Sequence, residues 1–329
     1  MQLRYSVFMR YVLVGNYGVG NFGDELLREY FVTSYHEAQW RVLSADPTQG
    51  EFPRLPAGIR SLLSTPWWRT LKAIRLSDGV VFGGGSLFTD VESIRAPLLW
   101  WWHAFVAHLL GKPVILAFQG IGPFRTRIGE WCARWVVARS LFISVRDVAT
   151  LQRVQSWKMN TKVIQTADPV LSLFKAENRS SSSQKLLVII PRRNSTIPFN
   201  ERATALRNSA SWDTVHILSL QPEDRVEQRV CRSIAGALSL PESSIISVGS
   251  VEALVAEISG AQLVLAERYH GALAALALGV PFDVVSQGEG DKLSTLPSES
   301  IASLRDLLFE GERQLKGVLF PSRASSGTI

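Results

Sequence analysis

The chain has 329 residues, of which 46% are hydrophobic and 19% charged, with a formal net charge of +6. This composition excludes a disordered or fibrous protein, and the length suits two domains of roughly 150 residues rather than a single core. Two cysteines, Cys132 and Cys231, are too few for a disulfide framework or a structural zinc site, so no metal is expected and a reducing cytoplasm is the default compartment.

The first ten residues lack the apolar run and small-residue cleavage site of a secretory signal, so no export is expected. Residues 1–175 hold 20 Lys+Arg against 12 Asp+Glu and the remainder 15 against 17, a split of +8 and −2. A basic first half points to an anionic substrate, an anionic membrane surface or nucleic acid. No nucleic-acid-binding signature accompanies it, and no nucleic-acid partner is expected.

In chain order, residues 11–14 form a short apolar strand, followed by the loop Gly15-Asn16-Tyr17-Gly18-Val19-Gly20-Asn21-Phe22-Gly23 and a helix over 24–31 with Asp24 and Glu25 in its first turn. The glycines fall too late after the strand for a dinucleotide fingerprint. Their pattern instead fits close backbone approach to a ligand, with Asn16, Asn21 and Asp24 placed to bond sugar hydroxyls. Strands at 80–82, 114–118, 141–145 and 163–167 each end in a polar or glycine turn: Gly83-Gly84-Gly85-Ser86, Gln119-Gly120-Ile121-Gly122-Pro123, Arg146-Asp147 and Asp168-Pro169. Asp147 is placed to cap the helix through residue 154. Residues 97–110 contain Trp100-Trp101-Trp102 but are too short to span a bilayer; they read as a core or domain-interface helix, or as a tryptophan-rich surface that touches lipid headgroups.

The serine-rich run 176–185 reads as a linker. Beyond it, strands at 186–190, 216–220, 245–248 and 263–266 alternate with helices at 223–238, 251–258 and 272–278. Such alternation predicts α/β architecture: two Rossmann-like domains, 1–175 and 186–329, facing a cleft. The most chemically loaded stretch is Glu267-Arg268-Tyr269-His270-Gly271. It sets an arginine and a histidine at a strand's carboxyl end and a helix's amino end, where an anion is favoured. Read without chemistry, Arg268 forms a surface ion pair and His270 merely starts a helix.

Taken in order, Gly15 to Gly18 with Asn21-Phe22-Gly23-Asp24-Glu25, Phe82-Gly83-Gly84-Gly85-Ser86-Leu87, Gln119 to Pro123, Ser144-Val145-Arg146-Asp147, Asp168-Pro169, and Glu267 to Gly271 with Gly279-Val280-Pro281 resemble the motifs of the polysaccharide pyruvyl transferase family. The likeness is greatest to its bacterial cell-wall-polymer branch. The resemblance implies a GT-B-like fold, phosphoenolpyruvate as donor substrate with no further cofactor, and a saccharide of a cell-surface or cell-wall polysaccharide precursor as acceptor. It implies donor contacts from Arg146, Arg268 and Lys292 and a role in the reaction for His270. The second domain then takes the donor side. The basic first domain takes the acceptor side through Asn16, Tyr17, Asn21, Asp24, Gly84 and Gly85.

The chemistry of the donor agrees with these residue types. Phosphoenolpyruvate carries a phosphate and a carboxylate, which arginine's planar fork suits, and its C3 needs a proton that a histidinium can supply, so His270 is the expected acid. Asp24 is the expected base. A lipid-linked acceptor would bring the protein to the inner face of the cytoplasmic membrane, in peripheral contact with anionic lipid. Two other readings stay open: a nucleotide-sugar glycosyltransferase on the same fold, and a non-enzymatic membrane- or saccharide-binding protein.

Overall fold

The computed structural model describes residues 9–91, 93–175, 184–287 and 292–321. Most of the expected linker, residues 176–183, and residues 288–291 lie outside these. Two compact units are present: the first holds the chain up to Val19, Leu27–Pro169 and the chain from Asp306, and the second holds Gly20–Leu26 and Val170–Arg305.

The first unit is built on a seven-stranded sheet in the order β3-β2-β1-β4-β5-β6-β7, with every neighbouring pair parallel. Its strands are β1 (Arg10–Val14), β2 (Gln39–Ser44), β3 (Phe52–Pro53), β4 (Gly79–Phe88), β5 (Val114–Ile121), β6 (Phe142–Val145) and β7 (Ile164–Gln165). Helices α1 (Phe22–Ser34), α2 (Ile59–Ser64), α3 (Trp68–Arg75), α4 (Ala96–Leu109), α5 (Arg127–Val137) and α6 (Val148–Ser156) connect them, with the first turn of α1 grouped in the second unit. Strands β4 and β5 are buried along nearly their whole length, as parallel strands covered on both faces must be. Both run on through their glycines, past the expected ends at 82 and 118, because main-chain pairing to a neighbour needs no side chain. Asp147 caps α6 as expected, accepting from Thr150 N at 2.7 Å.

The second unit carries a five-stranded parallel sheet, β10-β9-β8-β11-β12. Its strands are β8 (Leu186–Ile190), β9 (Thr214–Ser219), β10 (Ile245–Ser247), β11 (Leu263–Ala266) and β12 (Phe282–Val284), alternating with α7 (Ile197–Ser209), α8 (Arg225–Ala237), α9 (Val251–Ser259) and α10 (Tyr269–Leu278). Chain order reverses between β8 and β11, so the crevice beyond their carboxyl ends is the switch point where ligands of open α/β sheets bind. Helix α10 is almost wholly apolar and lies in the core, which holds its amino end against that crevice.

The last helix, α11 (Ile301–Leu319), follows the second sheet in sequence, yet from Asp306 it groups with the first unit. Its Leu315 and Leu319 are buried, Tyr11 Oη donates to Leu319 O at 2.8 Å and Tyr30 Oη to Glu312 Oε1 at 2.7 Å. A division at the serine run alone leaves this helix in the second unit. The tryptophan triplet splits by helical position. Trp100 is core at 3% exposure, while Trp101 and Trp102 are half-buried against the same cluster.

Candidate active site

In the second unit, the turn after β11 is organised by two buried acids. Glu267 accepts from Thr196 N (3.0 Å), Thr196 Oγ1 (2.9 Å) and Ser195 Oγ, which fixes the loop between β8 and α7. The anion position at the start of α7 is thus filled by the protein's own carboxylate. Arg268 donates from Nη2 to Gln221 Oε1 at 2.6 Å and to Glu227, and from Nε to Pro191 O at 3.4 Å. Glu227 also accepts from Ser219 Oγ (3.1 Å) and Gln221 N (2.8 Å). The Arg268 side chain is 12% exposed and that of Glu227 fully buried, so the guanidinium is a fixed cation tied to the ends of β8 and β9.

Helix α10 begins at Tyr269, not at 272, so Tyr269 and His270 lie in its first turn with Arg268 as the residue before it. The Arg268 side chain, turned to Glu227 and Gln221, makes no capping hydrogen bond to it. The Lys292 ammonium sits 4.0 Å from the Tyr269 ring centroid, and that ring meets the His270 imidazole edge-on at 5.5 Å. On its other side His270 packs against Gly23, in the first turn of α1: a Cβ built there would lie 2.1 Å from His270 Nδ1 and 2.2 Å from Cε1. Gly23 therefore cannot carry a side chain while the ring stays where it is. Asn21 Oδ1 accepts from Gly23 N at 3.2 Å, and Asp24 N donates to Asn21 O at 3.0 Å. Two helix amino termini, an imidazole and an ammonium thus gather in one place, with Asp24 in the first turn of α1, and the macrodipoles there favour an anion.

The remaining expected residues lie in the first unit. Asn16 Oδ1 accepts from Arg54 Nη2 at 3.3 Å, and the same nitrogen donates to Tyr17 O at 2.9 Å and Gly15 O at 3.2 Å. Tyr17 is buried and its hydroxyl donates to Gly83 O at 3.0 Å. A Cβ on Gly83 would collide with that hydroxyl at 2.4 Å, and one on Gly84 with Leu27 at 2.8 Å. Tyr17 and Gly84, expected to touch the acceptor, are thus packed within the unit, and Gly85 is buried beside Gly84 in β4. Arg146 donates from Nη1 to Asp168 Oδ2 at 2.5 Å and from Nη2 to Ser86 Oγ at 2.8 Å, with side-chain exposures of 2% for Arg146 and 0% for Asp168. Gln119 donates to the carbonyls of Phe82 (2.9 Å) and Gly84 (3.1 Å), locking β5 to β4.

Sequence reasoning passed over Arg54, Glu227 and Gln221. Glu227 had a signal: it shares the buried stripe of α8 with Cys231 and Ile234, and an acid there needs a partner. Arg54 had none, since its partners are far away in the chain. Among the described residues no group of three or more His, Cys, Asp or Glu side chains gathers as a metal site.

Comparison with solved structures shows the fold. The Anabaena protein HepE, solved with UDP and glucose, aligns with a TM-score of 0.60 at 13% identity over 94% of this chain and 99% of its own. A glycosyltransferase from Rickettsia africae gives 0.57 at 10% identity over 96% and 99%. A putative UDP-N-acetylglucosamine 2-epimerase from Listeria monocytogenes gives 0.55 at 11% over 95% and 96%. The fold is GT-B-like. No curated protein sequence matches the chain. Residues 21–287 match the family described as polysaccharide pyruvyl transferase, a stretch that includes every motif from Asn21 to Pro281, and the chain belongs to that family.

Proposed function

We propose that the protein transfers pyruvate from phosphoenolpyruvate to a saccharide of a cell-surface or cell-wall polysaccharide precursor, presented on a lipid carrier at the cytoplasmic face of a membrane. The observation that carries the reading is the first turn of α10, inside the stretch matched to the family, where His270 packs against Gly23 and meets the Tyr269 ring, with Lys292, just beyond that stretch, over the ring's face.

The donor's phosphate and carboxylate lie against the amino ends of α1 and α10, balanced by Lys292 and by Arg268, whose guanidinium Glu227 and Gln221 keep in place. His270 gives a proton to C3 of the enol, which becomes a methyl group while C2 becomes an oxocarbenium centre. One sugar hydroxyl adds to C2 and its proton passes to Asp24. Phosphate then leaves with the C–O bonding pair, the oxocarbenium reforms, and a second hydroxyl closes the ketal and releases its proton.

The test is incubation with phosphoenolpyruvate and a panel of lipid-linked and soluble glycans, followed by inorganic phosphate release and mass spectrometry. Saccharide-dependent phosphate release with a mass gain of one pyruvate less one water is expected. Transfer from a UDP-sugar with no reaction of phosphoenolpyruvate would overturn the reading in favour of a glycosyltransferase.

A further inference from the structure

Residues 95–140, which contain α4, β5 and α5, hold six Lys+Arg against one Asp+Glu, a net +5 of the chain's +6, and five of its ten tryptophans. Helix α4 has no Asp, Glu, Lys or Arg along its 14 residues; its only strongly polar side chains are His103, which is buried, and His108 in its last turn. One side packs on the first sheet through Trp100, Ala104 and Ala107. The other carries Leu98, Trp102, Phe105 and Leu109 at helical spacing, with Leu109 66% exposed. An apolar helix normally hides all its faces.

The seam between α4 and α5 is lined with rings. Trp101 lies 5.7 Å from Trp131 and 6.0 Å from Trp135, and Phe105 5.8 Å from Trp135. Ile128, Trp131 and Trp135 follow one another along α5, and Trp131 is 50% exposed, so the aromatic seam reaches the surface. Around it stand the exposed Arg125, Arg127, Arg134 and Arg139, the last with its guanidinium 4.4 Å from the Trp135 ring centroid. The one acid, Glu130, is engaged by Trp157 Nε1 at 2.9 Å and by Arg134 at 3.8 Å.

We infer that this α4–α5 face is the docking surface for an anionic phospholipid membrane, with Trp131 and Leu109 entering the headgroup region and the arginine rim pairing with lipid phosphates. Tryptophan amphipathicity suits that boundary, and an arginine near an anionic surface strengthens attachment by about fivefold. Among the described residues no helix is long and apolar enough to cross a membrane, so the attachment is interfacial. The assignment moves membrane contact away from Trp100, which is core. It builds on the reading that the acceptor is lipid-linked, because a docked face keeps the protein where such an acceptor is presented.

The test is flotation of the full chain with phosphatidylcholine vesicles, with and without phosphatidylglycerol, across a salt series. The wild type is compared with Trp131→Ser/Leu109→Ser and with Arg127→Glu/Arg139→Glu, each checked for its melting temperature and for pyruvyl transfer to a soluble saccharide. Binding to anionic vesicles alone, falling as salt rises, is expected, with the charge-reversal variant weakened roughly thirtyfold or more and the apolar variant losing the tryptophan blue shift. Variants that fold and act on the soluble saccharide but no longer float support the surface. Absence of wild-type binding at low salt, undiminished binding of both variants, or a concentration-dependent dimer that these substitutions abolish would each overturn it. Transfer by a wild type that does not float removes the surface and leaves the function standing; floating without transfer does the reverse.

Discussion

Both units end central strands in polar or glycine-rich turns at the carboxyl edge of a parallel sheet, yet the two edges are built for different ends. In the first unit the groups bind one another: Arg146 donates to Asp168 and Ser86, Gln119 to the carbonyls of β4, and Tyr17 to Gly83 O. In the second unit a similar buried pair, Arg268 with Glu227, lies under residues that stay partly exposed, namely Tyr269, His270 and Lys292. A strand, a turn and an arginine read alike in both. The difference is what the guanidinium ties together: in the first unit Asp168 and Ser86, and in the second the strand ends beneath a helix start whose first turn carries His270.

The largest effect that sharpens this comparison falls on the first edge. Asp168→Ala leaves Arg146 charged and buried, which should cost about 3–5 kcal/mol in denaturant unfolding, while Asp168→Ala combined with Arg146→Met should recover much of the loss. A loss within about 1 kcal/mol for the single variant would mean that the edge is not closed by this pair.

Next comes acid. His103 in α4 accepts from Leu55 N at 2.9 Å through Nε2, and its Nδ1–H donates to Leu99 O at 2.8 Å, which fixes one neutral tautomer. Burial, with Arg54 nearby, pushes its pKa down from the ordinary 6.5 to about 4. The unfolded chain therefore binds a proton that the folded chain refuses, so this contribution is fully present above pH 6.5 and is lost as pH falls toward 4. The loss is about 3 kcal/mol by proton linkage. His103→Gln should flatten the slope of unfolding free energy over that window; an unchanged slope would contradict the tautomer.

Two smaller effects belong to the second edge. Gly23→Ala should fold with normal stability while pushing the His270 ring aside, cutting turnover by about 10²-fold, since a displacement of about an ångström at a reacting group has that effect. Full activity in Gly23→Ala would break the link between α1 and His270. Lys292→Met should weaken phosphoenolpyruvate binding by roughly threefold to tenfold in calorimetry, the scale of one partly exposed cation, with little change in melting temperature.

Local chemistry was legible in the sequence. The Asp147 cap, the strand-turn-helix around Arg268 and the alternation that makes two parallel sheets all depend on residues within one or two helical turns of each other. Contacts between distant segments were not: Arg54 clamping the loop at Asn16, Glu227 holding Arg268, and Gly23 making room for His270. The glycines of β4 carried a signal with two physical sources. Gly83 and Gly84 read as a ligand turn because close approach requires glycine, and side chains of the protein itself, Tyr17 and Leu27, also approach them closely.

The central claim, that the chemistry resides at the start of α10, is tested most directly by His270→Gln. Phosphate release from phosphoenolpyruvate in the presence of saccharide is measured alongside donor affinity by calorimetry. The account predicts turnover lower by about 10²–10⁴ with donor affinity within roughly tenfold of wild type, as expected for removal of one proton donor. Turnover close to wild type in His270→Gln would place the acid elsewhere and contradict the account.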